Sequence, residues 1–201
     1  MVAKKTRILI YGDSNTWGDS GEGYRYQTQE QWPNILQELL GADYEVVQEG
    51  LCGRVAGDYV EDKPHRNGLR YFRVALGSAS PLDLTIIALG ANDLKEEYGR
   101  SAQQIAADLI SYVKTLHDFS QEGNKMVQTA ILFIGEKLQK SPLPRGFDNE
   151  KFRQVYEILE AAGHTVIVPP DVGRVEDDLH YSAEGHKKVA QTVYEEIRGL
   201  V

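Results

Sequence analysis

The chain has a single cysteine, no long apolar run and an excess of acidic residues, and each feature excludes a class of protein. Cys52 alone cannot form an internal disulfide or a zinc site made of cysteines. The longest apolar runs, such as 85–89, are far shorter than the ~20 residues that cross a bilayer. With 22 Lys and Arg against 30 Asp and Glu, the formal net charge is −8, which argues against a nucleic acid or an anionic membrane as partner.

The N-terminus also lacks the features of a secretory signal. Lys4, Lys5 and Arg7 are followed by an apolar run that covers only 8–10, whereas a signal peptide needs ~7–15 apolar residues. We therefore expect a cytoplasmic protein. The chain has 201 residues, of which 41% are hydrophobic, and this is enough to bury a full core in a single domain over 1–201.

Apolar periodicity alternates between strand-like and helix-like along the chain. The predicted strands are Arg7–Tyr11, Tyr44–Val47, Leu82–Leu89, Val127–Ile134 and Thr165–Val168. Helical apolar stripes cover Trp32–Leu40, Leu69–Leu76, Ile105–Leu116, Phe152–Leu159 and Val189–Ile197. Helix starts are indicated by Thr28 with Gln31, by Ser101 with Gln104 and by Ser182. Five strands separated by helices predict an α/β fold with three layers, α/β/α, around a five-stranded parallel sheet.

The carboxyl edge of such a sheet is where ligands bind, in the loops that follow the strands. The loops at that edge begin at Gly12, Gly50, Gly90, Gly135 and Pro169. Three longer segments, 19–28, 53–67 and 137–146, are candidate walls or lids of a site. Functional side chains are therefore expected in these loops.

Ser14 follows the first buried strand and precedes a helix. A serine held on a sharp turn there exposes its hydroxyl, and the helix N-terminus favours a developing oxyanion. The alternative is that Ser14 only caps the helix. The G-x-S-x-G elbow of α/β-hydrolases is absent, which argues against that fold.

Two other loops carry candidate donors for an oxyanion. Asn92 offers a neutral amide N–H, and Gly53 offers an unobstructed backbone N–H. Both also have a simpler interpretation as turn residues, with Asn92 in the left-handed region.

The last loop carries Asp177 and, three residues later, His180. In a turn the carboxylate can reach the imidazole Nδ1 and leave Nε2 free as a base, which is what a serine nucleophile needs. The alternative is an acidic loop with an incidental histidine. The other histidines are interpreted as solvated: His65, His117, His164 and His186. A serine, two oxyanion donors and an Asp-x-x-His pair at one sheet edge are the parts that acyl transfer requires.

These residues lie in four blocks that resemble, in order, those of the SGNH hydrolases, also called the GDSL esterase/lipase family. The blocks are Gly12-Asp13-Ser14, Gly53, Gly90-Ala91-Asn92-Asp93 and Asp177-Asp178-Leu179-His180. Four further segments resemble the bacterial arylesterase/acyltransferase branch of this family: 14–18, 49–51, 67–68 and 81–84. The resemblance covers nearly the whole chain.

The resemblance implies a flavodoxin-like fold and ester hydrolysis without metal or cofactor. It implies Ser14 as nucleophile, His180 as base and Asp177 as the acid that orients it. The Ser14 N–H, the Gly53 N–H and the Asn92 side chain would form the oxyanion hole. The branch also forms homo-oligomers, although the segment 118–125, which makes such contacts there, is short in this chain.

The function predicted is therefore that of a serine esterase acting on small acyl esters. Deacetylation of carbohydrates is the alternative within the same family. Asp13, Trp17 and Asp93 are predicted to contact the substrate, and apolar walls are predicted from Trp17, Tyr24 and the segment 137–146. Two other classes stay open: a metal-dependent phosphoesterase using the acidic side chains near His180, and a catalytically silent binding module.

Overall fold

The computed structural model describes residues 4–122, 128–132, 148–169 and 172–200. Its centre is a parallel sheet of five strands in the order β2-β1-β3-β4-β5. The strands are β1 Thr6–Gly12, β2 Tyr44–Gly50, β3 Leu84–Ala88, β4 Gln128–Leu132 and β5 Val166–Ile167. Gly12 pairs with Gly50 on one side and with Ala88 on the other, so three strands end level at the carboxyl edge. The order changes direction at β1, which opens a crevice between the loops that follow β1 and β3.

Two groups of helices flank the sheet. The helices are α1 Ser14–Trp17, α2 Trp32–Leu40, α3 Gly68–Ala79, α4 Ala102–Gln121, α5 Asn149–Ala161 and α6 Ala183–Ile197. α2 packs against α6, whereas α4 packs against both α3 and α5. The prediction of a three-layer α/β fold with a five-stranded parallel sheet is confirmed.

The core is continuous from one helical layer to the other, and β1 lies at its middle. Ile8, Leu9 and Ile10 are buried on both faces of the sheet, as expected of a central parallel strand. Burial of this apolar surface holds the strand ends, and the loops that follow them, in fixed positions.

The starts of two helices match the sequence prediction, and that of a third does not. Ser101 and Gln104 form the expected capping box of α4, and the Ser182 hydroxyl accepts a hydrogen bond at the start of α6. The capping box predicted at Thr28 and Gln31 is wrong. Gln27 and Glu30 form it instead, in a short 3-10 turn, and α2 begins later because Pro33 favours the first turn of a helix.

Of the helices in the described ranges, none combines the length and the apolarity needed to cross a membrane.

Candidate active site

The turn between β1 and α1 presents Ser14 at the carboxyl edge. The Asp13 carboxylate accepts a hydrogen bond from the Asn15 backbone N–H at 3.0 Å, so Asp13 is the N-cap. The alternative that Ser14 is itself the cap is therefore wrong. The turn needs a glycine at position 12, because a Cβ there would lie 2.0 Å from Thr16 Oγ1.

Ser14, His180 and Asp177 form one hydrogen-bonded chain. Ser14 Oγ lies 2.9 Å from His180 Nε2, and His180 Nδ1 lies 2.5 Å from Asp177 Oδ2. Because Ser14 and His180 are 166 residues apart, the fold alone brings them together. This geometry is that of a hydroxyl next to a base, with the base oriented by a carboxylate.

The loop that carries His180 is held by Asp177 in two ways. One carboxylate oxygen contacts the imidazole, and the other accepts the backbone N–H groups of Leu179 and His180, each at 2.9 Å. Burial acts to raise the pKa of Asp177, but these hydrogen bonds outweigh it and hold the pKa below its usual range. Asp178 occupies the left-handed position of the turn, with φ +56°, and the imidazole contacts Asp177.

Asn15 contacts the loop of His180, and the sequence pattern did not indicate this. Its side-chain amide donates to the Leu179 carbonyl at 3.3 Å and accepts the Tyr181 N–H at 2.9 Å. The two bonds flank His180 and tie its loop to the helix that begins at Ser14. Asn15 is only 4% exposed, so these two hydrogen bonds are shielded from water. The positions lie too far apart in sequence for any local pattern to indicate this contact.

The loop after β3 places Asn92 next to the loop after β2. One N–H of the Asn92 amide donates to the Arg54 carbonyl at 3.1 Å, which fixes the side chain and leaves its second N–H available. Asp178 is the only non-glycine residue with positive φ in the part of the chain that the structure describes. The alternative of Asn92 as a left-handed turn residue is therefore wrong. Gly53, with φ +74°, does occupy such a turn.

The predicted substrate contacts Asp13 and Asp93 are both buried. Asp93 is 0% exposed, and its two carboxylate oxygens accept hydrogen bonds from the Ala56 N–H at 2.8 Å and the Tyr59 hydroxyl at 2.9 Å. Burial raises the pKa of Asp93 to about 6, and it does the same for Asp13. Both carboxylates accept hydrogen bonds that hold loops in place, and substrate contact by either one stays a prediction.

The predicted apolar walls are present only in part. The Arg25 guanidinium lies 4.7 Å from the centre of the Trp17 ring and partly covers it. Tyr24 is 52% exposed, beside Tyr26. The segment 137–146 lies outside the described residues.

The loop after α1 adds a second carboxylate near the imidazole. Asp19 Oδ2 lies 3.8 Å from His180 Nε2, and it accepts a hydrogen bond from the Cys52 thiol at 3.6 Å. Burial and the Asp19 charge raise the pKa of Cys52 to about 11, so it stays a neutral thiol and a poor nucleophile. Gly21 lies against Asp177, so close that a Cβ at this position would be 2.6 Å from Asp177 Oδ2. The sequence analysis identified this loop only as a wall.

Among the described residues, no group of three or more His, Cys, Asp or Glu side chains is arranged to hold a metal ion.

Comparison with known proteins gives the family. A family model described as GDSL-like lipase/acylhydrolase matches residues 10–188. The acetylxylan esterase of Xylanibacter ruminicola is 26% identical over 93% of this chain, which spans only 42% of that longer protein. The native aryl esterase of M. smegmatis superposes with a TM-score of 0.83 at 24% identity, over 98% of this chain and 100% of its own. A carbohydrate acetylesterase family member from Sinorhizobium meliloti gives 0.79 at 26%, over 97% and 98%. The predicted resemblance is confirmed, and the chain belongs to the GDSL-like lipase/acylhydrolase family of carboxylic ester hydrolases.

Proposed function

We propose that this protein hydrolyses esters of small acyl groups through an acyl-enzyme formed on Ser14. The observation that carries the proposal is the continuous chain from Ser14 Oγ through the His180 imidazole to the Asp177 carboxylate. A serine hydroxyl is a weak nucleophile until an adjacent base accepts its proton, and this base is already within hydrogen-bond distance.

In the first half of the reaction, Ser14 Oγ attacks the ester carbonyl carbon while its proton passes to His180 Nε2. The carbonyl oxygen becomes an oxyanion, which accepts hydrogen bonds from the Ser14 and Gly53 N–H groups and the free N–H of Asn92. His180 then returns the proton to the alcohol oxygen as the carbon–oxygen bond breaks. Water repeats the same steps on the acyl-enzyme and releases the acid.

Asp177 maintains the His180 tautomer that this sequence requires. The carboxylate accepts the Nδ1 proton, so the Nε2 lone pair faces Ser14. Because hydrogen bonds keep the pKa of Asp177 low, the carboxylate stays ionised when His180 becomes a cation.

Carbohydrate deacetylation is the second candidate, and Asp19 favours it. Its carboxylate lies at the Nε2 edge of His180, where the alcohol would leave, and a carboxylate accepts hydrogen bonds from sugar hydroxyls. Two of the similar proteins are named as an acetylxylan esterase and a carbohydrate acetylesterase family member.

An ester panel tests the proposed function. We expect turnover of 4-nitrophenyl acetate and butyrate and of acetylated xylose, with no loss on addition of EDTA and no turnover by Ser14→Ala. Rates on the aryl and sugar acetates decide between the two candidates. Hydrolysis of phosphate esters that EDTA abolishes, or no turnover of any ester, would overturn the proposal.

Removal of the Asn92 amide is expected to lower kcat by roughly 10²–10³-fold with little change in KM, because one neutral donor to the oxyanion is lost. Steady-state kinetics of Asn92→Ala measure this effect. Asn34→Ala removes a half-buried amide that donates to Gln48, away from the proposed oxyanion hole, and should leave kcat unchanged. A loss smaller than about threefold in Asn92→Ala, with an unchanged circular dichroism spectrum, would mean that Asn92 only shapes the loop.

A further inference from the structure

The Arg66 guanidinium lies next to Gly53 and has no ion-pair partner in the part of the chain that the structure describes. Arg66 is the last residue of a short 3-10 turn, Pro64–Arg66. A Cβ at Gly53 would lie 2.8 Å from Arg66 Cζ and 2.9 Å from both Nε and Nη1. The Nε atom is buried without a hydrogen-bond partner. None of the ion pairs among the described residues includes Arg66.

The arginines near Arg66 do have carboxylate partners. With 30 acidic and 22 basic residues, carboxylates are in excess, and the nearby arginines use them. Arg54 pairs with Glu49 and also donates to the Gly12 carbonyl, and Arg70 pairs with Asp58. A partly buried guanidinium without a counter-ion is costly, because it loses solvation and gains no Coulomb attraction. A ligand that carries negative charge would supply what is missing.

The position of Arg66 indicates which part of a substrate would carry that charge. Gly53 supplies a proposed donor to the oxyanion, so Arg66 lies beside the proposed oxyanion hole. Asp19 lies on the other side, 3.8 Å from His180 Nε2, where the alcohol would leave. The site is therefore negative beside the alcohol and positive beside the proposed oxyanion hole. An anionic alcohol would be repelled by Asp19, whereas an anionic acyl group would avoid it.

We propose that Arg66 binds a carboxylate on the acyl part of the substrate, so that half-esters of short dicarboxylic acids are preferred substrates. This inference rests on the acyl-enzyme mechanism proposed above. The planar guanidinium can bind a carboxylate through two parallel hydrogen bonds, which fixes the acyl chain against Gly53.

The experiment compares two pairs of esters of matched shape. Monomethyl succinate carries the carboxylate on the acyl side, and methyl levulinate is its neutral counterpart. O-acetylglycolate carries the carboxylate on the alcohol side, and acetoxyacetone is its neutral counterpart. Each is assayed with the wild type, Arg66→Gln, Arg66→Lys and Arg73→Gln. Arg73 is exposed and pairs with Glu122, so its replacement is the control for lost surface charge.

We expect Arg66→Gln to lower kcat/KM for monomethyl succinate by about 10- to 100-fold, mainly through KM, because a charge-assisted bidentate contact is lost. Arg66→Lys should recover part of this loss. Methyl levulinate should change less than about threefold, which also shows that the variant is folded. Arg73→Gln should behave like the wild type.

Three results would overturn the inference: an equal loss on charged and neutral esters, no loss on monomethyl succinate, or a loss confined to O-acetylglycolate. The first would mean that Arg66 acts on the oxyanion. Failure of the mechanism itself is distinguishable, since Ser14→Ala would then retain activity on the neutral esters.

Discussion

Replacing Ser14 with alanine is expected to lower kcat by about 10⁴-fold or more while leaving the fold intact. Ser14 Oγ is the atom that faces His180 Nε2, at 2.9 Å, and alanine leaves the base with nothing to activate. The lost hydroxyl makes no other hydrogen bond among the described residues, and the turn is capped by Asp13. Thermal unfolding of the variant should therefore match the wild type, and steady-state kinetics measure the loss.

Chemical labelling provides the control for this prediction. A fluorophosphonate should modify Ser14 and abolish activity. Iodoacetamide should leave most activity, because burial and Asp19 raise the pKa of Cys52 to about 11 and keep the thiol protonated. A serine mechanism would be refuted if Cys52 carried the fluorophosphonate and Ser14→Ala stayed active.

Replacing Asp177 with asparagine should lower kcat by up to about 10⁴-fold, because an amide cannot hold the His180 tautomer that presents a lone pair to Ser14. Asp178→Asn is the matched control, one residue away, and should have a much smaller effect because Asp178 only shapes the turn. Kinetics of the two variants decide between them. If Asp178→Asn were the crippling change, the assignment of Asp177 would be wrong.

The pH dependence of kcat/KM should report the same pair. The base must be neutral to accept the Ser14 proton, so kcat/KM should rise as the pH is raised from acid. His180→Ala should remove both this rise and the activity. His117→Ala is the appropriate control because His117 is exposed on α4. A rise that survived in the residual activity of His180→Ala would identify another base.

His186 would be a poor control, because the prediction that it is solvated is wrong. It is 0% exposed, and its Nδ1 accepts the Trp32 N–H at 3.2 Å, which joins α6 to α2. Burial lowers the pKa of His186 to about 4, so its imidazole stays neutral near neutral pH. A helical histidine whose neighbours in sequence are polar gave no local sign of this contact.

The fold was predictable because the buried faces of strands and helices require apolar residues at regular spacings in the sequence. β1 and β3 are apolar runs that end in glycine, and the structure keeps both as strands. In a parallel sheet all strands end on one side. This topology places Ser14, Asn92 and His180 at the same edge of the sheet. Ser14 and Asn92 also stand directly at strand ends, where chemistry is expected.

What could not be predicted depends on contacts between distant segments. Asn15 holds the His180 loop across more than 160 positions, and Asp19 reaches the imidazole from a loop without regular structure. Asp93 is a third case, because its hydrogen-bond donors Ala56 and Tyr59 lie more than 30 positions away in the sequence. Hydrogen-bond partners of this kind are set by tertiary packing, and a local pattern does not contain them.

Trapping the acyl-enzyme tests the central claim most directly. The protein is mixed with excess 4-nitrophenyl acetate, quenched in acid within the first turnovers, digested and mapped by mass spectrometry. The account predicts one acetyl group per chain on the peptide that contains Ser14, accumulating with a burst of nitrophenol and missing in Ser14→Ala. An acetyl group on another residue that turns over at the catalytic rate would contradict it.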